Sequence, residues 1–295
     1  MTTSQPPFGR LVTAMVTPFD LAGALDVGAA RKLAAYLVDV QRNDALVING
    51  TTGEGPTTTD DEKRALLDAA IAEVGDRAKI IAGVGTPSTA HSIELARAAA
   101  EAGADGLLVV TPYYSLPPQD AIAAHMEAVA SATDLPCLLY DIPHRTGRAI
   151  DTPTLLRLAD HPHIVGVKDA KNDAVASAEV MAKTGLAYYS GNDAWTLPLM
   201  SVGAVGVVGT STHFTGARTR DMIDAFLARR LDDAIAIQRQ LLPVYTGVFA
   251  TQGCMLVKAG LAHIGLPVGS VRAPLLDASP AQAATFAALL DALTQ

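Results

Sequence analysis

The sequence predicts a (β/α)8 barrel followed by a C-terminal helical region. Eight short apolar runs recur along the chain, at residues 11–17, 45–49, 79–83, 106–111, 136–141, 164–168, 187–191 and 205–209. They are rich in Val, Ile and Leu and nearly continuous, as strands buried on both faces of a parallel sheet read. Segments of helical period separate them. Eight strand–helix units of about 30 residues need about 240 residues, and the chain has 295.

Taken in order, the first run ends in Val16-Thr17-Pro18-Phe19. That is not the glycine-rich phosphate loop with which a doubly wound open sheet usually begins. Asp60-Asp61-Glu62 places acids in the first turn of a helix whose apolar positions follow at Ala65, Leu66, Ala69 and Ala70. Ser88 caps the next helix, which carries Ile93, Ala96 and Ala100 on one face. Gly103 and Gly185 read as glycines closing helices. Beyond residue 231 the apolar runs stop, and residues 232–245, 249–264 and 280–293 read as helices. The expected organisation is a catalytic barrel over residues 1–231 and a helical appendage over 232–295.

Composition narrows the function classes. Apolar residues make up 49 % and charged residues 18 %, which excludes a disordered chain. The formal charge of −8 and the lack of a basic block disfavour nucleic-acid binding. No apolar run approaches the roughly 20 residues that span a bilayer. The stretch Met1–Arg10 carries no apolar leader core, so a cytoplasmic protein is expected. The two cysteines, Cys137 and Cys254, cannot form a disulfide framework, and Cys137 reads as a reduced core residue.

Barrel enzymes build their sites at the C-terminal ends of the strands. The second run closes with Gly50-Thr51-Thr52-Gly53-Glu54-Gly55, the fourth with Thr111-Pro112-Tyr113-Tyr114, the fifth with Tyr140-Asp141-Ile142-Pro143-His144-Arg145-Thr146-Gly147 and the eighth with Val207-Val208-Gly209-Thr210. The sixth closes with Val167-Lys168-Asp169-Ala170. Of seven lysines, Lys32, Lys63, Lys183 and Lys258 fall in helical segments, Lys79 opens its strand and Lys171 lies beyond one. Only Lys168 ends an apolar strand. Apolar walls desolvate its ammonium and lower its pKa, as a Schiff-base nucleophile requires; the competing reading is an ion pair with Asp169 or Asp141. The Gly50–Gly55 loop offers unobstructed amides and two hydroxyls to a small carboxylate, or is an ordinary glycine-rich turn. Tyr114 and Tyr140 suit proton transfer, or packing with a wet hydroxyl. Arg145 suits a bidentate carboxylate contact, or is a solvated loop arginine. His161-Pro162-His163 has no third ligand nearby and reads as a loop cap rather than a metal site. Gly83-Val84-Gly85 is a dinucleotide pattern without its third glycine. The glycines from Gly203 to Gly209 lie where barrels bind phosphate, yet no basic residue follows until Arg218.

Taken together, the Gly50–Glu54, Val110–Tyr114, Tyr140–Gly147 and Val167–Ala170 motifs give the chain a resemblance, from Gly9 to its C-terminus, to the pyruvate-dependent class I aldolase and lyase family. Arg145 points to its dihydrodipicolinate synthase branch. The resemblance implies the following roles. Lys168 forms an imine with pyruvate, and no cofactor or metal is needed. Thr52, with the Thr51 and Thr52 amides, holds the pyruvate carboxylate, and the Val208 carbonyl lines the same site. Tyr140, Thr51 and Tyr114 relay protons, with Tyr114 supplied by a neighbouring subunit of a homotetramer built from dimers. Arg145 receives the carboxylate of aspartate semialdehyde. Gly55 and His144 depart from the residues usual at their positions.

A sister enzyme would use the same imine on a sugar acid such as sialic acid, and a non-catalytic barrel would merely bind a small carboxylate. The joint presence of Lys168, Tyr140, Thr51 and Tyr114 disfavours the latter. The resemblance further implies a dimer-interface site for lysine beside the Gly50–Glu54 loop. Lysine-sensitive members carry asparagine and glutamate where this chain has Pro87 and His91, and Lys63 and Tyr113 also line the site. Weak or absent inhibition by lysine is expected.

Overall fold

A computed structural model describes residues 6–293; the first five residues of the stretch read for a leader lie outside the described residues. The chain runs β1 (Leu11–Ala14), α1 (Val27–Ala35), β2 (Ala45–Ile48), α2 (Asp60–Val74), β3 (Lys79–Gly83), α3 (Thr89–Ala102), β4 (Gly106–Val110) and α4 (Gln119–Ala130). It continues through β5 (Cys137–Asp141), the single turn α5 (Pro143–Thr146), α6 (Thr152–Leu158), β6 (Ile164–Asp169), α7 (Ala174–Lys183), β7 (Ala187–Ser190), α8 (Thr196–Ser201), β8 (Gly206–Gly209) and α9 (Thr212–Leu227). Helices α10 (Leu231–Gly247), α11 (Gly253–His263) and α12 (Pro280–Leu293) follow.

The strands form a closed parallel barrel in sequence order, as the eight runs predict. Closure is made by β1 against β8, with Leu11, Val12 and Thr13 opposite Val207, Val208 and Gly209. Side chains alternate along each strand. One set, including Val12, Val47, Ile81, Leu108, Leu138, Tyr140, Tyr189 and Val208, fills the barrel interior. The other, including Leu11, Leu46, Ile80, Leu107, Leu139, Val167 and Val207, packs outward under the helices. This explains the continuous apolar runs. The bottom is sealed: Phe8 is 1 % exposed and packs so closely on Gly106 that a Cβ there would overlap its ring. The Tyr189 hydroxyl accepts from the Phe8 amide and donates to the Gly9 carbonyl.

Local chemistry accounts for the helix ends. Thr59 and Glu62 form a reciprocal capping box at the start of α2, and Ser88 caps α3. Gly103 closes α3 in the left-handed conformation, with φ of +88°. Gly185 does not play this part: Thr184 ends α7 in an extended conformation, so the expected glycine cap is corrected. Strands β1, β2, β4 and β7 end before their apolar runs do, because the run ends leave the ladder as mouth loops. The helix expected from residue 249 begins at Gly253, where the Gln252 side chain accepts from the first amide. Helix α10 lies along α9, and α12 packs on α10 and α11.

Gly206 lies against the Arg10 carbonyl, which an added Cβ would overlap, whereas nothing lies near the corresponding position at Gly185. We expect Gly206→Ala to lower unfolding free energy by about 3 kcal/mol and Gly185→Ala to change it by less than about 0.5 kcal/mol. Urea denaturation of both variants checks this.

Candidate active site

Lys168 and Tyr140 are register partners on β6 and β5, so their side chains lie side by side on the inner face. The Lys168 ammonium nitrogen sits 4.1 Å from the centroid of the Tyr140 ring, a cation–π distance. Lys168 is 4 % exposed. Burial lowers its pKa from 10.5 to about 7; the nearby Asp193 carboxylate opposes this shift, and the Arg145 guanidinium adds to it. Burial likewise raises the Tyr140 phenol, so it stays protonated at neutral pH.

The ion pair weighed against this role goes elsewhere. Asp141 points outward from β5 and lies 3.2 Å from the Lys171 ammonium. Burial pushes the Asp141 carboxyl up to about 6, against the pull of Lys171. Asp169 also points outward and accepts from the Ser177 hydroxyl and the Lys171 amide. Among the described residues no carboxylate lies within 4.0 Å of Lys168.

Beside Tyr140 opens a cavity of about 760 Å³ lined by Thr51, Thr52, Tyr140, Arg145, Thr210 and Gln252, among others; the buried Lys168 does not line it and meets it through the Tyr140 ring. Thr51 and Thr52 follow β2 in a loop bracketed by Asn49 and Glu54, both in the left-handed conformation with φ of 63° and 56°. Such a backbone costs roughly 1–2 kcal/mol per non-glycine residue, so surrounding contacts must hold it. The Thr52 hydroxyl lies 3.2 Å from that of Thr210. Arg145 stands on the short turn α5 at the rim, and its guanidinium donates to the Gln252 side-chain carbonyl at 2.7 Å. Val208 is buried in the barrel interior on β8, two residues before Thr210.

Tyr114 is not brought to this cavity. It is 94 % exposed, on a loop with φ of 73°. A second cavity of about 520 Å³ shares Thr51, Tyr140 and Arg145 with the first and extends to Lys63, Pro87, His91 and Tyr113. Asp60, the carboxylate lining it among the described residues, lies 2.8 Å from His91 and 3.6 Å from Lys63. His161 and His163 bond Ser131 and the Ala130 carbonyl at the end of α4. Cys137 and Cys254 are free thiols and buried.

Sequence reasoning missed two residues. Asp193 is 1 % exposed and accepts from the Thr210 amide and from the Ser211 amide and hydroxyl. It lies just past the seventh run, where the strand-end rule would have found it. Gln252 comes from the C-terminal region and carries no local signal.

Comparison with known proteins then decides the family. A sequence model of the dihydrodipicolinate synthetase family matches residues 7–293. The chain belongs to the dihydrodipicolinate synthetase family. It is 60 % identical to the 4-hydroxy-tetrahydrodipicolinate synthase of Cutibacterium acnes, over 98 % of both chains. It is also 60 % identical to that of Acidothermus cellulolyticus, over 96 % of this chain and 92 % of the relative. Among solved structures, a dihydrodipicolinate synthase from Bacillus anthracis is 40 % identical with a TM-score of 0.94, covering 96 % of this chain and 98 % of its own. The Cyanidioschyzon merolae enzyme, solved with lysine bound, is 37 % identical with a TM-score of 0.96, covering 98 % and 99 %. As a member of this family the chain is a lyase on a TIM barrel. Among the described residues no helix is long and apolar enough to cross a membrane.

Burial of Lys168 has a consequence for stability. Its folded pKa of about 7 lies below the ordinary 10.5, so between these values the unfolded chain holds a proton that the folded one lacks. Stability therefore rises with pH across that window, and the burial penalty is fully present below it. We expect Lys168→Met to unfold at higher urea than the parent below pH 7, with the gain shrinking as pH rises towards 10; parallel urea titrations check this.

Proposed function

We propose that the chain condenses pyruvate with L-aspartate 4-semialdehyde to 4-hydroxy-tetrahydrodipicolinate, the reaction named for its 60 % identical relatives and the committed step towards diaminopimelate and lysine. The observation that carries this reading is the buried Lys168 amine 4.1 Å from the Tyr140 ring, its pKa lowered by burial to about 7, next to a cavity lined by Thr51, Thr52 and Arg145.

Neutral Lys168 attacks the C2 carbonyl of pyruvate and water leaves, giving an imine without any cofactor. Thr52 and the Thr51–Thr52 amides hold the pyruvate carboxylate, and the Val208 carbonyl lines its other side. The protonated imine is the electron sink, so the methyl group loses a proton and an enamine forms. The enamine carbon attacks the aldehyde of the second substrate, whose carboxylate is held by Arg145. Tyr140, linked through Thr51 to Tyr114, moves the protons. The substrate amine then attacks C2 and releases Lys168 by ring closure. Arg145 favours this acceptor over a sugar acid. The exposed Tyr114 suits supply to a neighbouring subunit, in a homotetramer of dimers. We place the protein in the cytoplasm, where two buried free thiols persist.

The deciding experiment is borohydride reduction with pyruvate alone, followed by mass mapping. Lys168 should carry the label and other lysines should not; label retained in Lys168→Ala would remove the assignment. Arg145→Ala should keep this labelling yet lose about 30-fold or more in semialdehyde turnover, the scale of a desolvated charge pair. Equal loss in both half-reactions would make Arg145 a purely structural residue.

Mixed dimers of Lys168→Ala and Tyr114→Phe, each inactive alone, should regain part of the activity, because one site then receives both intact side chains. No recovery after verified subunit exchange would contradict a shared site.

In the 520 Å³ cavity, Asp60 already serves Lys63 and His91. A ligand bearing two ammonium groups finds no further carboxylate among the described lining residues, and Lys63 adds like charge. Steady-state assays should show weak or absent inhibition by lysine; half-inhibition at submillimolar lysine would overturn this.

A further inference from the structure

Glu54 follows the Thr51–Thr52 segment after one residue, Gly53, and is not among the residues lining the cavity. It is 4 % exposed. Its Oε1 lies 2.7 Å from the ammonium of Lys258 on α11, and the two side chains are only 2 % and 3 % exposed. Its Oε2 accepts from the Arg272 amide at 2.8 Å. Lys258 also donates to the Ser270 carbonyl at 2.8 Å. Both cations cover Phe19, the Lys258 nitrogen at 4.3 Å and the Arg272 guanidinium at 4.0 Å from the ring centroid. Arg272 further holds the Thr57 carbonyl and the Glu62 carboxylate. One buried knot thus joins the loops after β1 and β2 to the segment after α11.

A buried ion pair is a poor way to gain stability, because desolvation offsets the attraction and an apolar pair often does as well. What it supplies is placement: an ammonium sealed from water and held by the Ser270 carbonyl and the Phe19 ring gives the Glu54 carboxylate a fixed counter-charge at 2.7 Å. Glu54 needs that constraint, since its left-handed backbone, with φ of 56°, is not one its residue type prefers. The same peptide segment carries the hydroxyl and amides of Thr51 and Thr52.

We propose that Glu54 is a positioning residue whose ion pair with Lys258 fixes the Thr51–Thr52 segment for carboxylate binding. The C-terminal helical region is then part of the substrate site through Lys258. This rests on the pyruvate reading proposed above.

The test uses Glu54→Gln, Lys258→Met and the double variant in the full chain. Three quantities are read: the pyruvate concentration giving half-maximal borohydride trapping on Lys168, the melting temperature, and hydrogen exchange of the 50–55 amides. Each single variant should raise half-saturating pyruvate by at least about tenfold, while the trapped amount at saturation stays complete, because affinity rather than imine chemistry is lost. The double variant has no unpaired buried charge, so it should melt above both single variants yet keep the raised half-saturation. If its half-saturation instead returned to within about threefold of the parent as the melting temperature recovered, the pair would act only through stability and the proposal would fail. Unchanged half-saturation in Glu54→Gln would also overturn it, and that isosteric change decides the matter should Lys258→Met not fold. If the parent itself gave no pyruvate adduct, the pyruvate reading would fail rather than this one. Amide exchange, which needs no ligand, would then decide: faster exchange at 50–55 in the variants supports positioning, and unchanged exchange refutes it.

Discussion

Pairing of β1 with β8 is the constraint on which the rest of the molecule depends. Once Leu11–Thr13 lie against Val207–Gly209, the sheet has no edge, and every strand must bury both faces. The inner face has room for a limited set of side chains, and these crowd Lys168 on all sides. Its amine is close to half-ionised near neutrality because closure leaves water little access, not because a designated base removes its proton. An open sheet with the same residues would hydrate the ammonium and return it towards an ordinary lysine.

Alternation along β6 then separates two kinds of charge chemistry within consecutive residues. Lys168 faces the interior, where no described carboxylate comes within 4.0 Å and the buried Asp193 acts on it from farther off. Asp169 faces outward and is satisfied by Ser177 and the Lys171 amide. Asp141 on the neighbouring strand takes the Lys171 ammonium. A slip of one residue would exchange these environments, placing a carboxylate inside and the lysine among acids. The outward ion pair therefore helps hold the register that keeps the inward amine out of a direct ion pair.

Much of this was legible in the sequence. Continuous apolar runs gave the barrel, because burial on both faces leaves that mark. The place of Lys168 followed from where its run ends. Tyr140, Thr51, Thr52 and Arg145 line one cavity for the same reason. Long-range partners were not legible. Gln252 approaches Arg145 across 107 residues of chain, and Lys258 reads locally as one more helical lysine until the fold sets it against Glu54. Gly185 misled because a glycine after a helix is common, while Thr184 had already ended α7 in an extended conformation. Tyr114 was legible as a residue closing a run, yet the fold leaves it 94 % exposed and outside the cavity.

The seal made by Phe8, Gly106 and Tyr189 at the foot of the barrel contrasts with the mouth, where the cavities lined by Thr51, Tyr140 and Arg145 open. Lys168 lies buried beside the Tyr140 ring at the inner end of this opening and Arg145 at its rim. Traffic through such a shaft follows the rule of a stack rather than a queue. A molecule resting on the floor cannot leave until whatever stands above it has gone, and one that reaches the rim first blocks the way down. Geometry of this kind favours an order of entry for two reactants that meet at Lys168.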